Sequence, residues 1–151
     1  MKRTILSLLA AVALVITGIH TASASAGEPV FKGSENFTKT FPEAMIKSYE
    51  TTKNGHTKVT FTWNGDALEA FYDDNGELEA TSHFLNVNTL PISVQMKVRD
   101  GYKDYSVIQA VEFYHTQEGL SYFLMLKKEN KGLIVRIDAQ GEMSLVKKLQ
   151  N

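Results

Sequence analysis

The 151-residue sequence contains no cysteine, only three prolines and a single tryptophan, and its formal net charge is only −1. Without cysteine there is no disulfide, no thiolate metal site and no cysteine nucleophile. An exported domain with no disulfide is held by its core alone, which fits a bacterial envelope better than a eukaryotic extracellular space. Near-neutral charge argues against a nucleic-acid partner, which would leave a basic footprint. The chain also lacks a His-x-x-x-His pair, a Gly-x-Ser-x-Gly elbow and a glycine-rich phosphate loop.

The amino terminus has the features of an export signal. Basic Lys2 and Arg3 precede the apolar run Ile5 to Thr17, and small residues follow from Ala22 to Ala26. A membrane span needs roughly 20 apolar residues, so this run is short for an anchor. Cleavage is expected after Ala26, with Ala24 and Ala26 filling the small-x-small positions and polar Gly27-Glu28-Pro29 opening the mature end. No cysteine lies near the site, so a lipid-anchored lipoprotein is not expected. The sequence thus divides into a signal peptide, 1–26, and one domain, 27–151. Removing Lys2 and Arg3 takes the basic count from 16 to 14 against 17 acidic residues, a net charge of −3. The expected location is the periplasm or the exterior of a bacterium.

An internal repeat organises the rest. Aligned without a gap, Leu68, Asp73, Gly76 and Glu77 meet Leu133, Asp138, Gly141 and Glu142. Each stretch reads as strand, tight turn, strand. Alternating segments precede both copies, at 45–50 and 56–63 in the first and at 105–113 and 120–126 in the second. Turns are expected at Asn54-Gly55, Asn64-Gly65, Glu118-Gly119 and Lys131-Gly132. A short helix around Ser34–Thr40, stopped near Pro42, opens the first unit. A second helix, capped by Asn88 or Thr89 with Pro91 in its first turn, holds Val94, Met96 and Val98 and opens the other. The expected fold is therefore α+β, with two tandem helix-plus-four-stranded antiparallel units at about 34–85 and 86–149. Periodicity leaves open whether they join in one sheet or face each other.

Alternation assigns Tyr122, Leu124, Leu126, Leu133, Val135, Ile137, Met143 and Leu145 to the helix-facing core of the second unit. The first-unit counterparts are Val59, Phe61, Trp63, Leu68, Ala70, Tyr72, Leu78 and Ala80. The opposite face of the first unit reads as solvated, with Thr60, Thr62, Glu69, Phe71, Glu79, Thr81 and His83. That of the second unit is more apolar: Ile108, Tyr114, Phe123, Met125, Ile134 and Val146, beside Glu112, Arg136 and Lys148. Such a patch is either a contact surface or a surface that packs on the chain's own loops and ends. The candidate binding residues are Tyr114, Phe123, Met125, Ile134 and Arg136.

Other candidates have structural explanations. His56, His83 and His115 are not spaced as metal ligands. Asp73-Asp74-Asn75-Gly76 resembles the start of a calcium loop but lacks the later glutamate at the right offset, and turn chemistry accounts for it. Glu77 and Glu79 would share a strand face, with nothing to mark a cleft around them. No catalytic residue, metal or cofactor is expected.

Several segments, taken in order, resemble the PepSY-like family of small exported Bacteroidetes proteins, also described as β-lactamase-inhibitor-like. Phe37-Thr38-Lys39-Thr40-Phe41-Pro42-Glu43-Ala44 is similar to its aromatic opening, and Leu90-Pro91 with Val94 to its Leu-Pro-x-x-Val helix. Ala70 to Leu78 and Ile137 to Met143 are similar to its aromatic-Asp-x-x-Gly hairpin. The resemblance spans about residues 35–149; one departure is the proline-free stretch Asp100 to Tyr105. It implies a fold like that of β-lactamase inhibitor proteins and the binding or inhibition of an exported enzyme, with no catalytic or binding residue to carry over. The leading expectation is a non-enzymatic module that contacts a protein through its sheet face. A small-ligand or peptide carrier and a structural envelope component are the alternatives.

Overall fold

In a computed structural model of the chain, residues 31–149 are described. The expected signal segment, with Ala24 and Ala26, lies outside them. Helix α1 is Ser34–Thr40, and helix α2 is Ile92–Gly101. The strands are β1 Met45–Thr51, β2 Thr57–Trp63, β3 Asp66–Tyr72, β4 Leu78–Leu85, β5 Ser106–His115, β6 Gly119–Lys128, β7 Lys131–Ile137 and β8 Met143–Leu149. All eight pair antiparallel in sequence order as one sheet. The two units thus join edge to edge through β4 and β5, from Ala80 opposite His115 to Leu85 opposite Ala110.

The repeat is reproduced at the level of hydrogen bonds. In the first copy the Asp73 carboxylate accepts from the backbone N–H of Asn75 and Glu77, both at 2.8 Å. In the second, Asp138 accepts from Gln140 at 3.0 Å and Glu142 at 2.9 Å. These bonds, led by the one from Glu77, hold the Asp73 carboxyl below the usual carboxylate range. The turn stabilisation they give is present above the unfolded carboxylate pKa and is lost as pH falls through the lower folded value. The calcium-like stretch is therefore a turn whose leading carboxylate is already occupied by the backbone.

Helix α1 reaches the sheet through Phe37 on its inner face and Phe41 at its C-cap, four residues on. Both rings pack on Phe61, at centroid distances of 4.9 and 4.7 Å. With Val59, Ala70 and Tyr72 they form the first core. Val94 and Val98 of α2 cap the second, over Ala110, Leu124, Leu126, Val135 and Ile137. Burying each large member stabilises by roughly 1.5–3 kcal/mol.

Some local expectations are corrected. Asn88 and Thr89 lie in a short 3₁₀ turn, Val87–Thr89, and Pro91 is the residue before α2 rather than within it. The β6–β7 hairpin turns at Glu129-Asn130, where Glu129 has φ 50°, and Gly132 lies inside β7 beneath Leu149. Leu145 is exposed rather than core.

A larger correction concerns which side chains share a face. Glu79 is an extra residue in β4, since Phe71 pairs with Ala80 but Tyr72 with Leu78. This bulge reverses the alternation, because one added residue flips every side chain beyond it. Ala80 therefore leaves the helix side, and Thr81 and His83 join it. A second bulge at Ile108 does the same in β5, placing Glu112 and Tyr114 on the helix side. A third, at Val146, places Lys148 there as well, opposite Leu133.

Tyr72 gives a direct test of the first core. It is fully buried, and its hydroxyl has no hydrogen-bond partner among the described residues. Burial pushes its phenol well above the usual tyrosine range. The folded state therefore favours the protonated form, so stability falls as pH rises past the unfolded value of about 10. Tyr72→Phe is expected to leave stability at pH 7 unchanged or slightly raised, because it removes an unsatisfied buried polar group. It should also remove a loss of up to about 1.4 kcal/mol per pH unit above pH 10. Urea titrations at pH 7, 10 and 11 check both effects.

Candidate functional site

The helix-free face is built from alternate residues of every strand. Its middle row is Thr60, Glu69, Ser82, Phe113 and Ser121, each paired with the next. Across the junction of the units lies a third buried cluster: Phe71, Ala80, Val111, Phe113 and Phe123, with Phe84 and Ile134 against it. Phe113 is its hub, 6.0 Å from Phe71 and 5.7 Å from Phe123. Every member comes from β3 to β7, so the cluster ties the two units together.

Polar networks flank it on both sides. In the first unit, buried Glu69 accepts from the Ser82 hydroxyl at 3.0 Å and lies 3.5 Å from the Lys58 ammonium. In the second, the Arg136 guanidinium donates to Ser121 through Nε at 3.2 Å and Nη2 at 3.0 Å, and to Glu118 at 3.1 Å. The same guanidinium sits 5.9 Å from the centre of the Phe123 ring. Each cation is thus engaged within the face.

The structure separates the five sequence-identified residues. Phe123, Met125, Ile134 and Arg136 share the helix-free face, where Met125 pairs with Ile134 and Phe123 with Arg136. Tyr114 does not: it is 49% exposed but lies on the helix side, opposite Thr81 and Leu120. Phe123 is only 6% exposed and belongs to the buried cluster. Phe71, read as a lone aromatic on a solvated face, is buried in that cluster as well.

The accessible apolar part of the face lies farther along. Met125 and Ile134 are half-buried, and the bulged residues Ile108 and Val146 stand at the same level of the sheet, 51% and 36% exposed. Gln109, Met125, Ile134 and Lys147 form the paired row there. Sequence reasoning missed Val111 and Phe113, which have the same apolar alternation as any core strand and nothing to mark the face they occupy.

The remaining polar groups have structural roles. His115 Nδ1 accepts from the backbone of Gln117 and Glu118 at 3.1 and 3.3 Å, closing the β5–β6 turn. His56 lies 3.5 Å from Glu79, and His83 3.8 Å from Asp66. The Tyr122 hydroxyl donates to Glu112 at 3.3 Å; burial first, then the Glu112 charge, raises that phenol above its ordinary value. Among the described residues no three His, Cys, Asp or Glu side chains come together to hold a metal ion. No helix of the described residues is long and apolar enough to cross a membrane.

No protein-family model and no curated relative matches the chain. Solved structures do match in shape. A BLIP-like protein from Bacteroides fragilis aligns at a TM-score of 0.69 and 18% identity, covering 87% of this chain and 92% of that one. A DUF2874 family protein from Bacteroides ovatus aligns at 0.68 and 16%, covering 82% and 89%. A candidate periplasmic protein from Bacteroides eggerthii aligns at 0.67 and 13%, with the same coverage. At these identities the likeness is one of fold, and the fold is BLIP-like; it carries the family resemblance no further than that.

Proposed function

We propose that the domain is an exported, non-enzymatic binding module that contacts a protein partner through the helix-free face of its second unit. The observation that carries this reading is the accessible row of Ile108, Met125, Ile134 and Val146 beside a buried aromatic base. Rigid aromatic packing beside a partly exposed apolar strip is the make-up of an interface centre. The sheet edges offer less. β1 is bulged at Lys47 and β8 at Val146, followed by Lys147 and Lys148, features that discourage strand addition. The expected leader 1–26 and the candidate periplasmic neighbour favour the envelope as the place of action. The carrier reading needs an enclosed pocket between facing units, whereas these units continue one sheet.

The test is affinity capture from envelope extract of the source organism with tagged residues 27–151 as bait. Met125→Arg/Ile134→Arg, both at half-buried positions, should keep the fold and lose an enriched partner. Equal enrichment by both baits would reject this face as the contact.

A further inference from the structure

We infer that this face selects a partner whose apolar contact is edged by carboxylates. The inference rests on the binding reading above and adds the chemistry of the partner. The chain outside the leader is net negative, yet five of its lysines gather at one corner. Lys127, Lys128 and Lys131 lie on the β6–β7 hairpin, and Lys147 and Lys148 on β8. Lys128 is paired with Asp104, which precedes β5, at 2.7 Å, and Glu129 is the acid in the turn of that hairpin. Strand alternation sorts the five. Lys127 pairs with Gly132 and Lys147 with Ile134, so both stand on the helix-free face, Lys127 two residues along β6 from Met125 and Lys147 beside Ile134 on β8. Both are exposed, and neither makes an ion pair among the described residues. Lys128, Lys131 and Lys148 occupy the opposite phase.

This arrangement favours a protein over an anionic bilayer. Stable electrostatic attachment to lipid uses about four to eight basic residues in one cluster, and insertion needs apolar side chains that protrude. Here two lysines face the strip, and its centre, Met125 and Ile134, is half-buried. A shaped protein surface can reach such side chains, and its carboxylates would meet Lys127 and Lys147 at the rim, where opposite charge governs encounter and selectivity.

The test is selection of binders from a displayed random peptide library against the folded 27–151 domain. Three variants serve as comparison: Lys127→Glu/Lys147→Glu, Lys128→Glu/Lys148→Glu, and Met125→Arg/Ile134→Arg. Selected peptides should combine apolar residues with Asp or Glu. Their binding should weaken about tenfold or more with Lys127→Glu/Lys147→Glu, and further at low salt than at high salt. Lys128→Glu/Lys148→Glu should change it little. Peptides without acidic enrichment, an equal response to the two lysine pairs, or no selected peptide would overturn the proposal. So would flotation of the domain with phosphatidylglycerol vesicles that the Lys127→Glu/Lys147→Glu variant loses. Sensitivity to Met125→Arg/Ile134→Arg without sensitivity to the lysines would remove the charge proposal and leave the face; insensitivity to both would remove the face as well.

Discussion

Gly76→Ala is expected to lower stability by about 2–5 kcal/mol, while the repeat-equivalent Gly141→Ala costs about 1–2 kcal/mol. Both glycines hold positive φ, 83° and 78°, so both substitutions carry the left-handed penalty. They differ in what a methyl group would meet. At Gly76 it would lie 2.6 Å from the backbone nitrogen of Gly33 and 2.9 Å from its α-carbon. At Gly141 its nearest neighbour is the flexible end of Lys97, at 3.9 Å. Gly33 cannot simply retreat, because its carbonyl accepts from the Phe37 N–H at 2.8 Å and Phe37 is buried in the first core. Chemical unfolding followed by fluorescence of Trp63, the only tryptophan, measures both variants. Trp63 donates to the Pro42 carbonyl at 2.9 Å and packs 5.4 Å from Phe41, so it reports on the docking of α1 from the helix's other end. Equal losses in the two variants would mean that α1 does not rest on the β3–β4 turn.

That asymmetry shows what an internal repeat reveals and what it hides. The matched Asp73 and Asp138 disclosed two turns that prove to have the same hydrogen bonds, and the α1 boundaries agree with Ser34 and Pro42. The order of helix, four strands, helix, four strands was likewise legible, because turn residues and period-two alternation are local signals. Which face a residue occupies is less local. The bulges at Glu79 and Ile108 carry no glycine or proline to announce them, yet each reverses the phase of the strand residues beyond it. The errors at Ala80, Thr81, His83, Glu112 and Tyr114 all arise there.

The candidate site was legible only in part for a second reason. Met125, Ile134 and Arg136 were placed correctly because β6 is unbroken and in register with β7 over these positions. The burial of Phe123 was not, since it depends on Phe113 and on Phe71 from the other unit, 52 positions earlier (Phe71 to Phe123). Similarly, Ser82 and Ser121 look like ordinary polar strand residues. Only the folded sheet shows that they satisfy Glu69 and Arg136.

The burial of Phe123 leads to the other large effect: Phe123→Asp should abolish cooperative folding, whereas Ile134→Arg on the neighbouring strand should cost about 1 kcal/mol. Removing a buried phenylalanine ring costs about 3–5 kcal/mol before any charge is added. A carboxylate in its place would lie among Val111, Phe113 and Ala80, and an unpaired buried charge adds several kcal/mol. The Arg136 guanidinium lies beside that position, but Ser121 and Glu118 already hold it. Since a domain of this size is stable by only about 5–15 kcal/mol, the sum removes most or all of the margin. Ile134 differs because it lies at the edge of the cluster, half-buried, where an arginine stem can lie along the apolar strip with its head in water. Thermal unfolding monitored by circular dichroism separates the cases, with Phe123→Leu as a control expected to lose about 1 kcal/mol. A Phe123→Asp variant that melted cooperatively near the wild-type midpoint would show that the ring does not help to join the two units. A partner lost with Phe123→Asp alone would therefore report unfolding. The binding face has to be probed at Met125, Ile134, Lys127 and Lys147, where the fold tolerates the change.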